Sequence, residues 1–181
     1  MSGWHTEKQG LSRRALALSA VGVLIGCEEK ERVVPIASFP PVPGIKTASG
    51  FDLPPVDTNR FVGRVTLLNV WAPWCPICRG EHAMLKQLSS EPLFTLAGLI
   101  YRDSAENARA YLSEAGNPFA ALSVDTAGFV GRALGVRGVP YTFVIGRDRK
   151  IVAQVIGGLD ERNIAAVINP AVARALSGPA A

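Results

Sequence analysis

Cys75 and Cys78 are the residues of this chain with the clearest chemical potential. They lie in Trp71-Ala72-Pro73-Trp74-Cys75-Pro76-Ile77-Cys78, directly after the apolar run Val65-Thr66-Leu67-Leu68-Asn69-Val70. A Cys-x-x-Cys pair where a buried strand passes into a helix suits a redox-active disulfide. Two intervening residues in a first helical turn hold the Cα atoms about 5–6 Å apart, within the range that a disulfide tolerates. Unpaired backbone N–H groups and the positive end of the helix dipole would stabilise a thiolate at Cys75, which makes it the attacking sulfur. Cys78, one turn deeper, would then be the resolving thiol. Thiol–disulfide exchange of this kind requires no dissociable cofactor.

Two static roles fit less well. A bridge across two residues closes a very small loop and removes little denatured-state entropy. A structural zinc site wants four ligands, and the chain holds three cysteines and two histidines, of which Cys27 and His5 fall in an N-terminal targeting segment. No metal is expected. Cys75, Cys78 and His82 together still form a soft ligand set that would suit copper, so a copper-binding module stands as an alternative.

The elements that must hold the pair follow from patterning. Arg64–Trp71 reads as a buried strand, and 76–90 as one helix with Met84, Leu85 and Leu88 inward. Leu93–Tyr101 is a second central strand. Ser104 is a cap for a helix to Ala115 that Gly116-Asn117-Pro118 ends, with Ala108, Tyr111 and Leu112 inward. A short strand at Ala121–Val124 and a short helix at Phe129–Leu134 come next. Tyr141–Ile145 and Lys150–Ile156 form a hairpin across Arg147-Asp148-Arg149. Asp160 is placed to cap a last helix that reaches Ile168, with the tail from Asn169 packing weakly or fraying. Strands alternating with helices early and a hairpin late give an α/β fold, a central mixed sheet flanked by helices on both faces.

The chain has 181 residues, 48% of them hydrophobic, enough for one domain with additional sequence at its N-terminus. Residues 1–27 read as a signal peptide or membrane anchor: Arg13-Arg14 precede a twelve-residue apolar run, Ala15 to Gly26. As a helix that run spans about 18 Å, short of the roughly 30 Å hydrocarbon core. Leu24-Ile25-Gly26-Cys27 resembles a bacterial lipobox, which would make Cys27 a lipidation site, and Ser12-Arg13-Arg14 resembles a twin-arginine signal. Lipidation of Cys27 would leave one redox pair and no free thiol in an oxidising compartment. Residues 28–50, with Pro35, Pro40, Pro41 and Pro43, read as a linker, and residues 51–181 as the globular domain. Lys8, Arg13, Arg14 and Glu7 contribute +2 of the formal charge of +4. The remainder carries no basic run interleaved with aromatics, so no nucleic-acid partner is expected.

With Cys-x-x-Cys at the first strand-to-helix junction and Val139-Pro140 opening the hairpin, residues 60–168 resemble the thioredoxin superfamily. That resemblance implies a thioredoxin-like fold and a cis peptide at Pro140 lying against the active-site sulfurs. It also implies that the Val139 backbone pairs with an extended client. Trp74, directly before the nucleophile, reads as shielding the sulfur and offering the client a flat apolar contact, a place where a pure core residue would be odd. Four stretches are similar to the cytochrome c biogenesis thiol:disulfide interchange proteins of the DsbE/CcmG type. They are Leu68 to His82, Tyr101-Arg102-Asp103, Gly116-Asn117-Pro118-Phe119-Ala120, and Gly135-Val136-Arg137-Gly138-Val139-Pro140-Tyr141-Thr142-Phe143. The resemblance implies a periplasmic reductant tethered at the inner membrane. Its client would be the Cys-x-x-Cys-His thiols of apocytochrome c, and its electron source a membrane thiol–disulfide carrier of the CcdA/DsbD type. A broader envelope reductant is the nearest alternative. Val139 and Tyr141 depart from the small and acidic residues usual at those places. Asn69 falls where thioredoxin carries a buried acid, and an amide cannot take a proton from Cys78; a buried group satisfying backbone hydrogen bonds is its simpler role. Glu81 is either a replacement for that acid or a solvated helix charge. His82 either lines the client groove or lies on the surface.

Overall fold

The run Thr-Leu-Leu-Asn-Val-Trp forms strand β1, Thr66–Trp71, which is buried along its whole length. Such a strand belongs at the centre of a sheet, where both faces are covered. It pairs in parallel with β2, Thr95–Tyr101, and antiparallel with β4, Tyr141–Ile145. β3, Ala121–Asp125, lies parallel to β2, and β5, Ile151–Ile156, closes the hairpin with β4, giving the order β3-β2-β1-β4-β5. The computed structural model describes residues 32–34, 39–46 and 52–178. The N-terminal targeting segment and Cys27 lie outside the described residues, as do 35–38 and 47–51 of the chain that follows. No helix among the described residues is long and apolar enough to cross a membrane.

One face of the sheet packs Leu67, Trp71, Leu96 and Ile100 against Leu85, Leu88, Ala108 and Leu112. These come from α2 (His82–Leu88) and α3 (Ala105–Ala115), the latter capped by the Ser104 hydroxyl, which accepts from Asn107 N at 3.1 Å. The other face packs Leu68, Val70, Leu99 and Phe143 against Leu134, Val136 and Phe61, with Val130 of α4 (Phe129–Ala133) alongside. Helices cover both faces, as the alternation of elements requires.

Three expectations differ from what is observed. The helix expected over 76–90 is divided at Glu81 into α1, Pro76–Gly80, and α2. Hydrogen bonds still run through the junction, from Glu81 N to Ile77 O and from Leu85 N to Glu81 O. The chain does not fray at Asn169. A short α5, Glu161–Asn163, runs through a π turn at Ile164–Ile168 into α6, Asn169–Ser177, and Ile168, Ala171, Val172 and Ala175 enter the core. Pro170 lacks the N–H that a regular helix needs. The wider turn, with Asn169 N donating to Ile164 O, carries the helix past it. The described parts of the expected linker lie against the domain, with Val34, Val42 and Ile45 buried. Pro41 bridges to Ser123 on the outer side of β3, and Val33 to Lys150 just ahead of β5.

Candidate active site

β1 ends at Trp71 with its ring against Phe119 and Tyr111, at centroid distances of 5.7 and 5.6 Å. The chain then turns through Pro73-Trp74, and Cys75 becomes the N-cap of α1. Pro76 follows at the first helical position, where a missing N–H costs nothing. The Cys75 sulfur accepts from Cys78 N at 3.2 Å, so one of the free N–H groups at the helix start points at it. From the opposite side, Val139 O lies 3.6 Å from the same sulfur, within reach of its S–H. The Val139–Pro140 peptide is cis. Pro140 O in turn accepts from Gly157 N at 3.0 Å, which ties the loop to the end of β5.

Both cysteines are free thiols and buried. Burial pushes the Cys78 thiol far above its ordinary value, and the neighbouring Cys75 adds to the rise, as does the charge of Glu81. Cys78 therefore needs a proton acceptor if it is to attack near neutral pH. The surface around Cys75 is apolar and open: Trp74 is 56% exposed and Ile77 58%.

Glu81 is 3% exposed, which corrects its reading as a solvated helix charge. Its Oε1 accepts from Asn69 Nδ2 at 3.0 Å and its Oε2 from Leu159 N at 2.7 Å. Burial raises its pKa, opposed by these two hydrogen bonds. Asn69, fully buried, also reaches Thr142 Oγ1 at 3.1 Å through Nδ2. Its side chain therefore joins other side chains instead of satisfying backbone groups, a correction to the simpler expectation. His82 is buried, neither in a groove nor on the surface. Its Nε2 lies 3.0 Å from Gly116 O and its ring meets Tyr111 edge-on. Burial lowers its pKa. Tyr141, in the place of the family's acid, is a core residue stacked on Phe143.

Cys75, Cys78, Val139, Pro140, Asn69 and Glu81 thus converge at one end of β1 and β4. Thr142 and the Leu159 backbone N–H are parts of this corner that sequence reasoning did not find. The doublet Gly157-Gly158 is the signal that could have found the second. A Cβ on Gly158 would lie 2.9 Å from Ile77 Cγ2, so glycine lets the loop that carries Leu159 to Glu81 pack on α1 without displacing the Ile77 side chain. Among the described residues no group of three or more His, Cys, Asp and Glu is arranged to hold a metal ion.

The family model for Redoxin matches residues 40–168. The chain is 33% identical over 127 residues to the thiol:disulfide interchange protein CycY of Rhizobium leguminosarum bv. viciae, covering 70% of this chain and 68% of CycY. It is 43% identical over 100 residues to DsbE of Escherichia coli strain K12, covering 55% of this chain and 54% of that protein, so it spans about half the length of that relative. A Chlorobium tepidum structure described as a thiol:disulfide interchange protein DsbE superposes with a TM-score of 0.66 at 23% identity, over 82% of this chain and 98% of that one, which supports the thioredoxin-like fold. A strand-to-helix dithiol facing a Val-Pro loop, on this sheet and with these relatives, makes the chain a member of the Redoxin family and of its DsbE, CycY and HelX group of thiol:disulfide interchange proteins, which are protein-disulfide oxidoreductases.

Proposed function

We propose that the protein reduces client disulfides at the periplasmic side of the inner membrane, and that its clients are the Cys-x-x-Cys-His cysteines of apocytochrome c. The observation that carries this reading is the asymmetry of the pair. Both sulfurs are buried, but Cys75 lies between the exposed Trp74 and Ile77, with its sulfur against the Val139 backbone and receiving the Cys78 N–H, while the Cys78 thiol lies near the buried Glu81 carboxylate. In the first step the Cys75 thiolate attacks one sulfur of the client disulfide. A Cys75–client bond forms, and the other client sulfur leaves as a thiolate that takes a proton from water. In the second step Cys78 loses its proton to Glu81 and attacks the Cys75 sulfur. The Cys75–Cys78 disulfide forms, and the second client thiol is released on protonation. Two electrons pass from the dithiol to the client, and a membrane thiol–disulfide carrier of the CcdA/DsbD type restores the dithiol.

Trp74 and Ile77 form the apolar contact for the client, and Val139 offers it backbone hydrogen bonds. The N-terminal segment, through Cys27 or as an anchor, tethers the domain to the membrane. Replacing Cys78 with Ser in the full chain tests the scheme. In cells that make c-type cytochromes, Cys78→Ser is expected to accumulate mixed disulfides through Cys75, with apocytochrome c as the trapped protein. Other envelope proteins in the trap would support the broader reductant. No trapped species, together with lost copper affinity, would support a metal-binding module instead.

A further inference from the structure

Asn69 carries an imbalance that the scheme above leaves unused. Its Nδ2 makes two hydrogen bonds, to Glu81 Oε1 and Thr142 Oγ1, while its Oδ1 is buried with no partner among the described residues. An amide donates at one end and accepts at the other, and the two ends are nearly equal in size. Rotating it by half a turn therefore exchanges donor for acceptor without repacking the core.

Facing a charged carboxylate, the amide must present its NH2 end, as observed. Once the Glu81 oxygen facing Asn69 holds a proton, that arrangement offers the new O–H no acceptor on Asn69. The unpaired Oδ1 is then the group that the protonated carboxyl requires. Thr142 can follow the exchange, because a hydroxyl both accepts and donates. It accepts from Nδ2 in the first arrangement and donates to Oδ1 in the second. Leu159 N–H continues to hold Oε2 in both states. The groups acting on Glu81 are Leu159 N and Asn69, and the charge of Glu81 in turn raises Cys78; His82 is turned to Gly116 instead.

We propose that Asn69 is a positioning residue whose side-chain amide rotates with each proton Glu81 receives, donating to the carboxylate before the transfer from Cys78 and accepting from the carboxyl after it. The inference rests on Glu81 being the proton acceptor in the proposed reaction. The proton leaves Cys78 Sγ for a Glu81 oxygen, the amide turns, and Glu81 returns the proton to solvent or to the departing client thiolate, after which the amide turns back. The Glu81 oxygen facing Asn69 is thereby paired both as a carboxylate acceptor and as an O–H donor, which a fixed donor at that oxygen cannot achieve.

The test is an NMR titration of the reduced, isotope-labelled full chain. The Glu81 carboxyl-carbon shift reports its charge, and the contact between the Asn69 NH2 protons and Thr142 reports the amide orientation. The contact is expected to be present while Glu81 is charged and lost with the same midpoint as the carboxyl signal. A contact that persists through the Glu81 titration would overturn the proposal. Asn69→Leu supplies a second measurement. Loss of a fixed donor would raise the Glu81 midpoint by about 1–2 pH units, the usual strength of a bond to a charged group. A rotating amide serves both states, so its loss is expected to move the midpoint by less than about one unit. The failure of the base reading is separately visible: the amide would still follow Glu81, but the rate of Cys78 attack would not.

Discussion

Replacing Glu81 with Gln tests the proton path at its narrowest point. An ordinary thiol is only a few per cent ionised at pH 7, and burial raises Cys78 well beyond that. Each unit of rise cuts the thiolate a further tenfold, so spontaneous ionisation leaves Cys78 well below the few per cent of an ordinary thiol. A positioned base contributes typically about 10²–10⁴-fold. We expect Glu81→Gln to slow the attack of Cys78 on a Cys75 mixed disulfide by about 100-fold, the low end of that range. A Cys75–thionitrobenzoate adduct of the full chain, followed by stopped-flow absorbance, reads that step in a single turnover. The wild-type rate should rise as pH passes through the raised pKa of Glu81, and the variant should lose this rise. Stability provides an internal control. Because the folded carboxyl holds its proton better than the unfolded one, its contribution is full below the ordinary value of about 4.3 and is lost as pH rises through the folded value. Gln carries no charge, so this loss with rising pH should disappear from urea denaturation curves. One buried donor left facing the amide costs about 1–3 kcal/mol and partly offsets the gain. An unchanged rate and pH profile in a folded Glu81→Gln protein would refute the reasoning.

Burial lowers the His82 pKa, so the neutral ring contributes stability that is full above its ordinary value, about 6.5, and is lost as pH falls through the folded value. Urea midpoints should therefore drop between pH 7.5 and 5, and His82→Phe should flatten that drop. Gly98→Ala would place a Cβ 2.6 Å from Leu122 Cδ1 and 2.9 Å from the Phe119 ring in the core. Overpacking of this kind costs about 1–3 kcal/mol, to be read as a lower urea midpoint at unchanged slope. Trp74→Ala and Ile77→Ala should weaken reduction of a Cys-x-x-Cys-His peptide disulfide by raising KM, while leaving reaction with a small aromatic disulfide within a few-fold of wild type. Equal losses on both substrates would show that these side chains act on the sulfur itself.

Sequence alone identified what is local. The dithiol at a strand-to-helix junction, the Ser104 cap and the hairpin around Arg147-Asp148-Arg149 each follow from neighbouring residues, and each is observed. Glu81 was ambiguous because its partners, Asn69 and Leu159, lie 12 and 78 residues away, and a charge on an amphipathic helix looks the same whether or not distant donors meet it. α6 was hidden by Pro170, which ordinarily stops a helix and is accommodated here by a π turn. Val34, Val42 and Ile45 gave no sign of burial. Val34 and Val42 sit beside isolated bridges to Lys150, just ahead of β5, and to Ser123 of β3, and Ile45 beside one to Asp52, and such single bridges leave no hydrophobic period among the prolines.

The central claim is that Cys75 and Cys78 form a reducing couple that gives electrons to a client. Its most direct test is the reduction potential of the pair in the full chain, measured by equilibration with thiol buffers and counting of alkylatable thiols. A couple that reduces its client is expected to have a value near that of thioredoxin, about −270 mV. A value near the roughly −120 mV of a strong disulfide donor would contradict it and make the protein an oxidant.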